Sequence, residues 1–220
     1  MRRSARLALF LLSVILILAA LYTLSSVSNT LDRLTVVEAE RDRWQRPSDV
    51  LRSLSVSEGS TVLDLGSGAG YFSLKLADLV GSRGQVIAVD LRRLSLFFLR
   101  IRALMRGKHN IRIIVGTADD PHLPAQRADA VLISNTYHEF RNPGLMIDHT
   151  WRALQSGGRL VILDRRPLSE QGSAPDGHEV APDRVEAEVR RRGFEILRRD
   201  DRFIEQPGED PWWLLVARRR

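Results

Sequence analysis

From Val62 to Tyr71 the chain reads Val-Leu-Asp-Leu-Gly-Ser-Gly-Ala-Gly-Tyr, with an acid two residues ahead of three alternating glycines. Glycine reaches backbone angles closed to other residues and carries no side chain, so this run can turn sharply and come close to a ligand. A dinucleotide-binding turn spaces its glycines G-x-G-x-x-G. Here Tyr71 stands where the third of those would fall. Asp64 adds a carboxylate able to accept from an ammonium group, which a dinucleotide does not carry. Twenty residues past Gly70, Asp90 closes an apolar run, the place from which an acid reaches both hydroxyls of a ribose.

A second group follows a later apolar run: Asn135-Thr136-Tyr137-His138-Glu139-Phe140. An imidazole can take up and return a proton, which suits His138 to general-base work; the alternative is that it only packs and hydrogen-bonds beneath a ligand. His178 lies in a polar stretch rich in Gly and Pro, residues 172–182, and is a further candidate. His109, His122 and His149 are scattered without ligand spacing, so no metal site is read. With no cysteine, disulfides, thiolate zinc sites and a cysteine nucleophile are excluded.

Apolar runs and helical periodicity alternate in the elements that must carry these residues. Short strands are predicted at 61–65, 85–89, 111–115, 130–134 and 159–164. Helices are predicted at 71–79, 91–105 and 143–154, with a short one at 49–54 capped by Ser48 and another capped by Asp183 and ending at Arg192. Continuous apolar strands between helices imply a parallel sheet covered on both faces, with ligands at the strands' carboxyl ends. Two last strands, 194–199 and 212–218, have no helix between them and should pair antiparallel. Trp212 and Trp213 are assigned to core and sheet edge.

Ahead of this pattern, Arg2, Arg3 and Arg6 precede an uncharged stretch from Leu7 to Leu31. Eighteen apolar-rich residues, 7–24, span ~27 Å as a helix, close to the hydrocarbon thickness of a bilayer. Residues 1–30 therefore read as a single-pass anchor, with a cleaved secretory signal as the alternative. Residues 31–47 read as a charged juxtamembrane helix and 48–220 as the folded domain. Trp44 either caps the ligand pocket or packs the stalk on the domain. The length of 220 residues admits one such domain, and 44% hydrophobic residues supply its core. The net charge of +6 comes almost wholly from arginines interspersed with acids, which gives no blocked basic tract for nucleic acid.

Taken together, the segments VLDLGSGAGYF, QVIAVD, GTADDPHLP, AVLISNTYHEF and LQSGGRLVILD resemble the class I S-adenosylmethionine-dependent methyltransferases, over about residues 44–218. The resemblance implies a Rossmann-like α/β fold: a seven-stranded, mostly parallel sheet with an antiparallel C-terminal pair, preceded by one hydrophobic helix. It implies S-adenosyl-L-methionine as cosubstrate. Gly66, Gly68 and Gly70 would pack under its methionine and ribose, Asp64 would face the amino group, and Asp90 would take the ribose hydroxyls. Ser67, Tyr71, Leu91, Ala118, Asp119 and Asn135 would complete the cosubstrate site. Where the family usually has Gly-Asp-Ala after the third strand, this chain has Gly116-Thr117-Ala118-Asp119, so Asp119 or Asp120 would serve the adenine. Tyr137, His138 and His178 would bound the site of a small or lipid-like acceptor. The three N-terminal arginines favour a domain outside the cytoplasm, whereas cosubstrate supply favours the cytoplasmic side. An NAD-dependent oxidoreductase and a non-catalytic cosubstrate-binding protein are the competing readings.

Overall fold

The computed structural model describes residues 2–166, 180–205 and 211–220, with side chains from residue 9. The chain divides into two compact units, residues 1–43 and 44–220. The first is nearly all of helix α1 (Arg2–Trp44), unbroken across both the apolar and the charged stretch. From Leu9 onward it is long and apolar enough to cross a membrane, with a mean hydropathy of 2.3 over its most apolar window. The helix stops where Arg46 takes a left-handed backbone, φ 52°.

The second unit holds one seven-stranded sheet. Its strands are β1 (Thr61–Leu65), β2 (Gln85–Asp90), β3 (Ile111–Val115), β4 (Ala128–Ser134), β5 (Leu154–Arg165), β6 (Phe194–Ile204) and β7 (Trp212–Arg219). They lie in the order β3-β2-β1-β4-β5-β7-β6. The first five run parallel, and β7 enters antiparallel between β5 and β6. The chain walks outward from β1 to β3 and returns to β4 on the other side of β1. That reversal opens a crevice at the carboxyl ends of β1 and β4. Trp212 and Trp213 are thus interior to the sheet; the edges are β3 and β6, the latter with charged residues throughout Arg198–Arg202.

Apolar side chains alternate along each strand between two cores. Leu63, Val131, Ile133 and Ile162 face one side, packed by helices α5 (Pro143–Ala153) and α6 (Pro182–Arg191). Val62, Leu132, Val161 and Leu163 face the other, packed by α2 (Pro47–Leu54) and α3 (Tyr71–Val80). Helix α4 (Arg93–Met105) covers the β2–β3 end through Leu96, Leu99 and Ala103. Trp44 packs on Trp212, ring centroids 5.6 Å apart, beside α2.

Three helix starts differ from the sequence expectation, each for a local reason. Proline favours the first helical position, where its missing N–H costs nothing. It therefore begins α2 at Pro47, leaving Ser48 inside, and begins α6 at Pro182, with Ala181 as N-cap. Asp183 instead accepts from Arg199 Nη1 at 2.5 Å. Helix α4 starts at Arg93, because Asp90 Oδ1 accepts from Arg92 N at 2.7 Å and holds Leu91 and Arg92 in a turn.

Candidate functional site

The glycine run leaves β1 in three left-handed steps, Gly66 at φ +82°, Gly68 at +53° and Gly70 at +88°, and then enters α3. Gly66 N and Ser67 N both donate to Val89 O, at 2.8 and 3.0 Å, which hooks the turn over the end of β2. Gly68 N donates to Asp90 Oδ2 at 2.8 Å. From the α4 side, the buried Arg102 donates to Ala69 O at 2.5 Å. Asp64, also buried, accepts from Ser73 Oγ of α3 at 2.5 Å. Asp90 thus holds the turn itself, and Asp64 holds the helix that follows it.

Beside the turn lies a narrow cleft of about 60 Å³. Leu65 and Gly66 of the first strand end, Val89 to Arg92 of the second, and Gly116 to Ala118 after the third form one side. Thr136, Glu139, Phe140 and Met146 close the other. Its walls are mainly apolar, and Asp90 supplies a buried carboxylate at the base. Arg92 spans the mouth, its Nε 3.3 Å from Asp90 Oδ1 and its Nη1 3.8 Å from Glu139 Oε1. Three buried polar atoms at the same strand ends, Ser67 Oγ, Ser134 Oγ and Asn135 Oδ1, have no hydrogen-bond partner among the described residues. Buried groups of this kind are normally satisfied, so their clustering fits a polar ligand. Asn135 also holds a left-handed backbone, φ 53°, while its N donates to Leu163 O at 2.8 Å.

Of the residues singled out in the sequence, Gly66, Asp90, Leu91 and Ala118 line the cleft. Asp64, Ser67, Gly68, Gly70 and Tyr71 build the turn beside it, Tyr71 packing edge-on against Phe72 at 4.8 Å. Asp119 sits exposed on the loop after β3, and Asp120 is engaged with the backbone N of His122 at 2.7 Å. The cleft itself takes Thr117. Tyr137 points away from it into the core shared with Met146 and Val189, and its phenol is pushed up to about 12 by burial and by the Glu188 carboxylate. His178 lies outside the described residues.

His138 occupies a short turn, Tyr137–Glu139, with its side chain 2% exposed. Its Nδ1 is 2.8 Å from Asp164 Oδ1, and its backbone N donates to Asp164 Oδ2 at 3.2 Å. Asp164, fully buried near the end of β5, also accepts from Arg165 N at 2.8 Å. This carboxylate was not among the sequence candidates, although it ends the apolar run from Leu160 to Leu163 just as Asp90 ends its own. Arg92, Thr136, Glu139, Phe140 and Met146 were missed too; only their position just after a strand or a turn signalled them.

A family model described as a methyltransferase domain matches residues 56–192. An arsenite methyltransferase of Halobacterium salinarum is 33% identical over 131 residues, covering 59% of this chain and 32% of that protein. The ubiquinone/menaquinone biosynthesis C-methyltransferase UbiE of a Marinomonas species is 29% identical over 129 residues, covering 58% of this chain and 51% of that protein. The chain thus spans about a third of the length of the first of these relatives and about half of the second. Among solved structures, a SAM dependent methyltransferase from Aquifex aeolicus superposes with a TM-score of 0.72 at 20% identity, over 86% of this chain and 97% of that one.

Proposed function

Because the chain belongs to the methyltransferase-domain family, and is an S-adenosylmethionine-dependent enzyme, we propose that it methylates a small, lipophilic acceptor at a membrane surface. One observation carries this reading. The cleft joins a buried carboxylate, Asp90, to apolar walls from Leu91, Pro121, Phe140 and Met146. Asp90 keeps lone pairs for ribose hydroxyls beyond its bonds to Gly68 and Arg92. Leu91 and Pro121 offer flat apolar contact to a base, with the Thr117 backbone and side chain nearby. Asp64 and the Gly66–Gly70 turn would take the amino-acid end, and Ser67, Ser134 and Asn135 would find partners there.

S-adenosylmethionine supplies a methyl group already activated on a sulfonium. The protein's work is then mainly positioning and exclusion of water. Glu139 and Phe140, which follow His138, would border the acceptor. His138, buried with its Nδ1 held by Asp164, would orient the acceptor through its neighbours Glu139 and Phe140, which line the cleft. The oxidoreductase reading is set aside by the family match. The relatives' names speak of a quinone-pathway carbon and of arsenite, both small acceptors. The apolar stretch of α1 would tether the domain in reach of membrane-dissolved acceptors, with cosubstrate supply favouring the cytoplasmic side. Residues 1–30 would be the anchor, 31–47 the stalk and 48–220 the enzyme.

The test is methyl transfer from radiolabelled cosubstrate by the full-length chain in vesicles, supplied with a demethylated quinone or with arsenite. Label appearing in the organic phase with the quinone supports the reading. Cosubstrate binding without transfer to any lipophilic acceptor would sink the lipophilic part of it.

A further inference from the structure

Helix α4 presents an unusual outer face. The segment Leu91–Lys108 contains six basic residues and no acid. Leu96, Leu99, Arg102 and Ala103 turn toward the sheet. At about 100° per residue, Leu94, Phe97, Phe98, Ile101, Leu104 and Met105 gather in an arc of roughly 120° on the opposite side. Leu94 is 69% exposed, Leu104 61% and Met105 71%. Scattered apolar residues on a surface need no explanation, but a continuous stripe over about three turns marks an interaction site.

The chemistry at its border selects the partner. Arg93 and Arg100 run along one edge of the stripe, exposed and without an acid partner among the described residues. An apolar stripe edged by guanidinium groups fits the boundary between acyl chains and phosphate headgroups. There the leucines and phenylalanines enter the apolar side while the arginines reach back to the phosphates. We propose that α4 docks in the plane of an anionic lipid surface. Leu91 and Arg92, which lead into α4, line the cleft, so docking sets the cleft mouth at the lipid boundary. The proposal holds whether or not α1 spans the bilayer, and it does not depend on which acceptor is methylated.

The chain has no cysteine, so a single introduced one can be labelled uniquely. Leu104→Cys and, separately, Leu94→Cys are labelled with an environment-sensitive fluorophore in the full-length chain. Each is reconstituted in vesicles of phosphatidylcholine with or without phosphatidylglycerol. Both labels are expected to shift to the blue and to be quenched several-fold more by lipid-borne doxyl groups when phosphatidylglycerol is present. Arg93→Glu with Arg100→Glu should return quenching to the level in phosphatidylcholine alone, while a label at Arg190→Cys on α6 stays open to aqueous iodide throughout. Circular dichroism identifies any labelled variant that fails to fold, and the other position then carries the measurement. Iodide access at both α4 positions equal to that at position 190 would overturn the proposal. So would iodide protection without doxyl quenching that grows with protein density, which would assign the stripe to a second copy of the chain.

Discussion

Thr136 fills the space that a side chain on Gly66 would need: a Cβ there would sit 2.6 Å from Thr136 Cβ and closer still to its Oγ1 and Cγ2. The first strand end and the fourth are thereby pressed together at the floor of the cleft. Gly66→Ala has to displace Thr136 and also hold φ near +82°, at a cost of about 2–4 kcal/mol from crowding and strain. A Cβ on Gly68 would meet nothing within 4 Å, so Gly68→Ala should cost only about 1 kcal/mol. If the cosubstrate lies against the turn as proposed, the added methyl group would crowd it, and binding should suffer more than folding. Thermal unfolding with and without cosubstrate separates the two. Equal losses of stability would contradict the contrast.

Asp90 has a scaffold role and a proposed ligand role, and two substitutions divide them. Asp90→Ala leaves Gly68 N without its acceptor and should weaken cosubstrate binding at least about tenfold, or ~1.4 kcal/mol. Asp90→Asn can still accept from Gly68 N, so it should keep the turn and lose affinity through the ribose contacts alone. Calorimetric titration gives both numbers. Unchanged affinity in the alanine variant would refute the ribose assignment.

The pairing of His138 with Asp164 predicts a selective loss. His138→Ala should slow single-turnover methyl transfer by roughly 10²-fold with cosubstrate affinity unchanged. Asp164→Asn should slow it less, because the ring stays in place while its charged partner is lost. Loss of binding in step with turnover would make His138 a structural residue of the pocket.

Tyr137 should reveal itself in alkali. Its phenol is raised from 10.0 to about 12 in the folded state, so the fold favours the neutral form. The associated stability is complete below the unfolded value near ~10 and is lost as pH rises through about 12. The full shift corresponds to at most about 3 kcal/mol. Tyr137→Phe should unfold with less pH dependence in that window. Denaturant titrations at several alkaline pH values would show it, and parallel curves would deny the burial effect.

The glycine turn and Asp90 were legible in the sequence because their chemistry is local: strand, turn and helix follow within a few residues. The sheet was legible because its parallel strands are apolar on both faces and stand out as unbroken runs. Asp164 was not, since it meets His138 across 26 residues of chain, through the parallel register of β4 and β5. The inward aim of Tyr137 was hidden as well: a three-residue helical turn carries no periodicity to show which side chain meets the core, and that core is supplied by Met146 of α5 and Val185 and Val189 of α6. Asp183 looked like a cap until Pro182 took the first helical position and Arg199, from β6, claimed the carboxylate.

The charged border of the sheet bears on how copies of the protein behave when crowded. An open strand edge is a template onto which another chain can add. Here the edge strand β6 carries Arg198, Arg199, Asp200, Asp201 and Arg202 in succession, and Arg199 is tied to Asp201 at 2.5 Å and to Glu186 at 3.0 Å. A strand laid alongside would have to break these bonds and desolvate the charges. At the opposite border β3 is only five residues long and exposes Arg112 near its centre. Neither rim invites polymerisation, so densely packed copies of the enzyme should stay separate along both edges of the sheet.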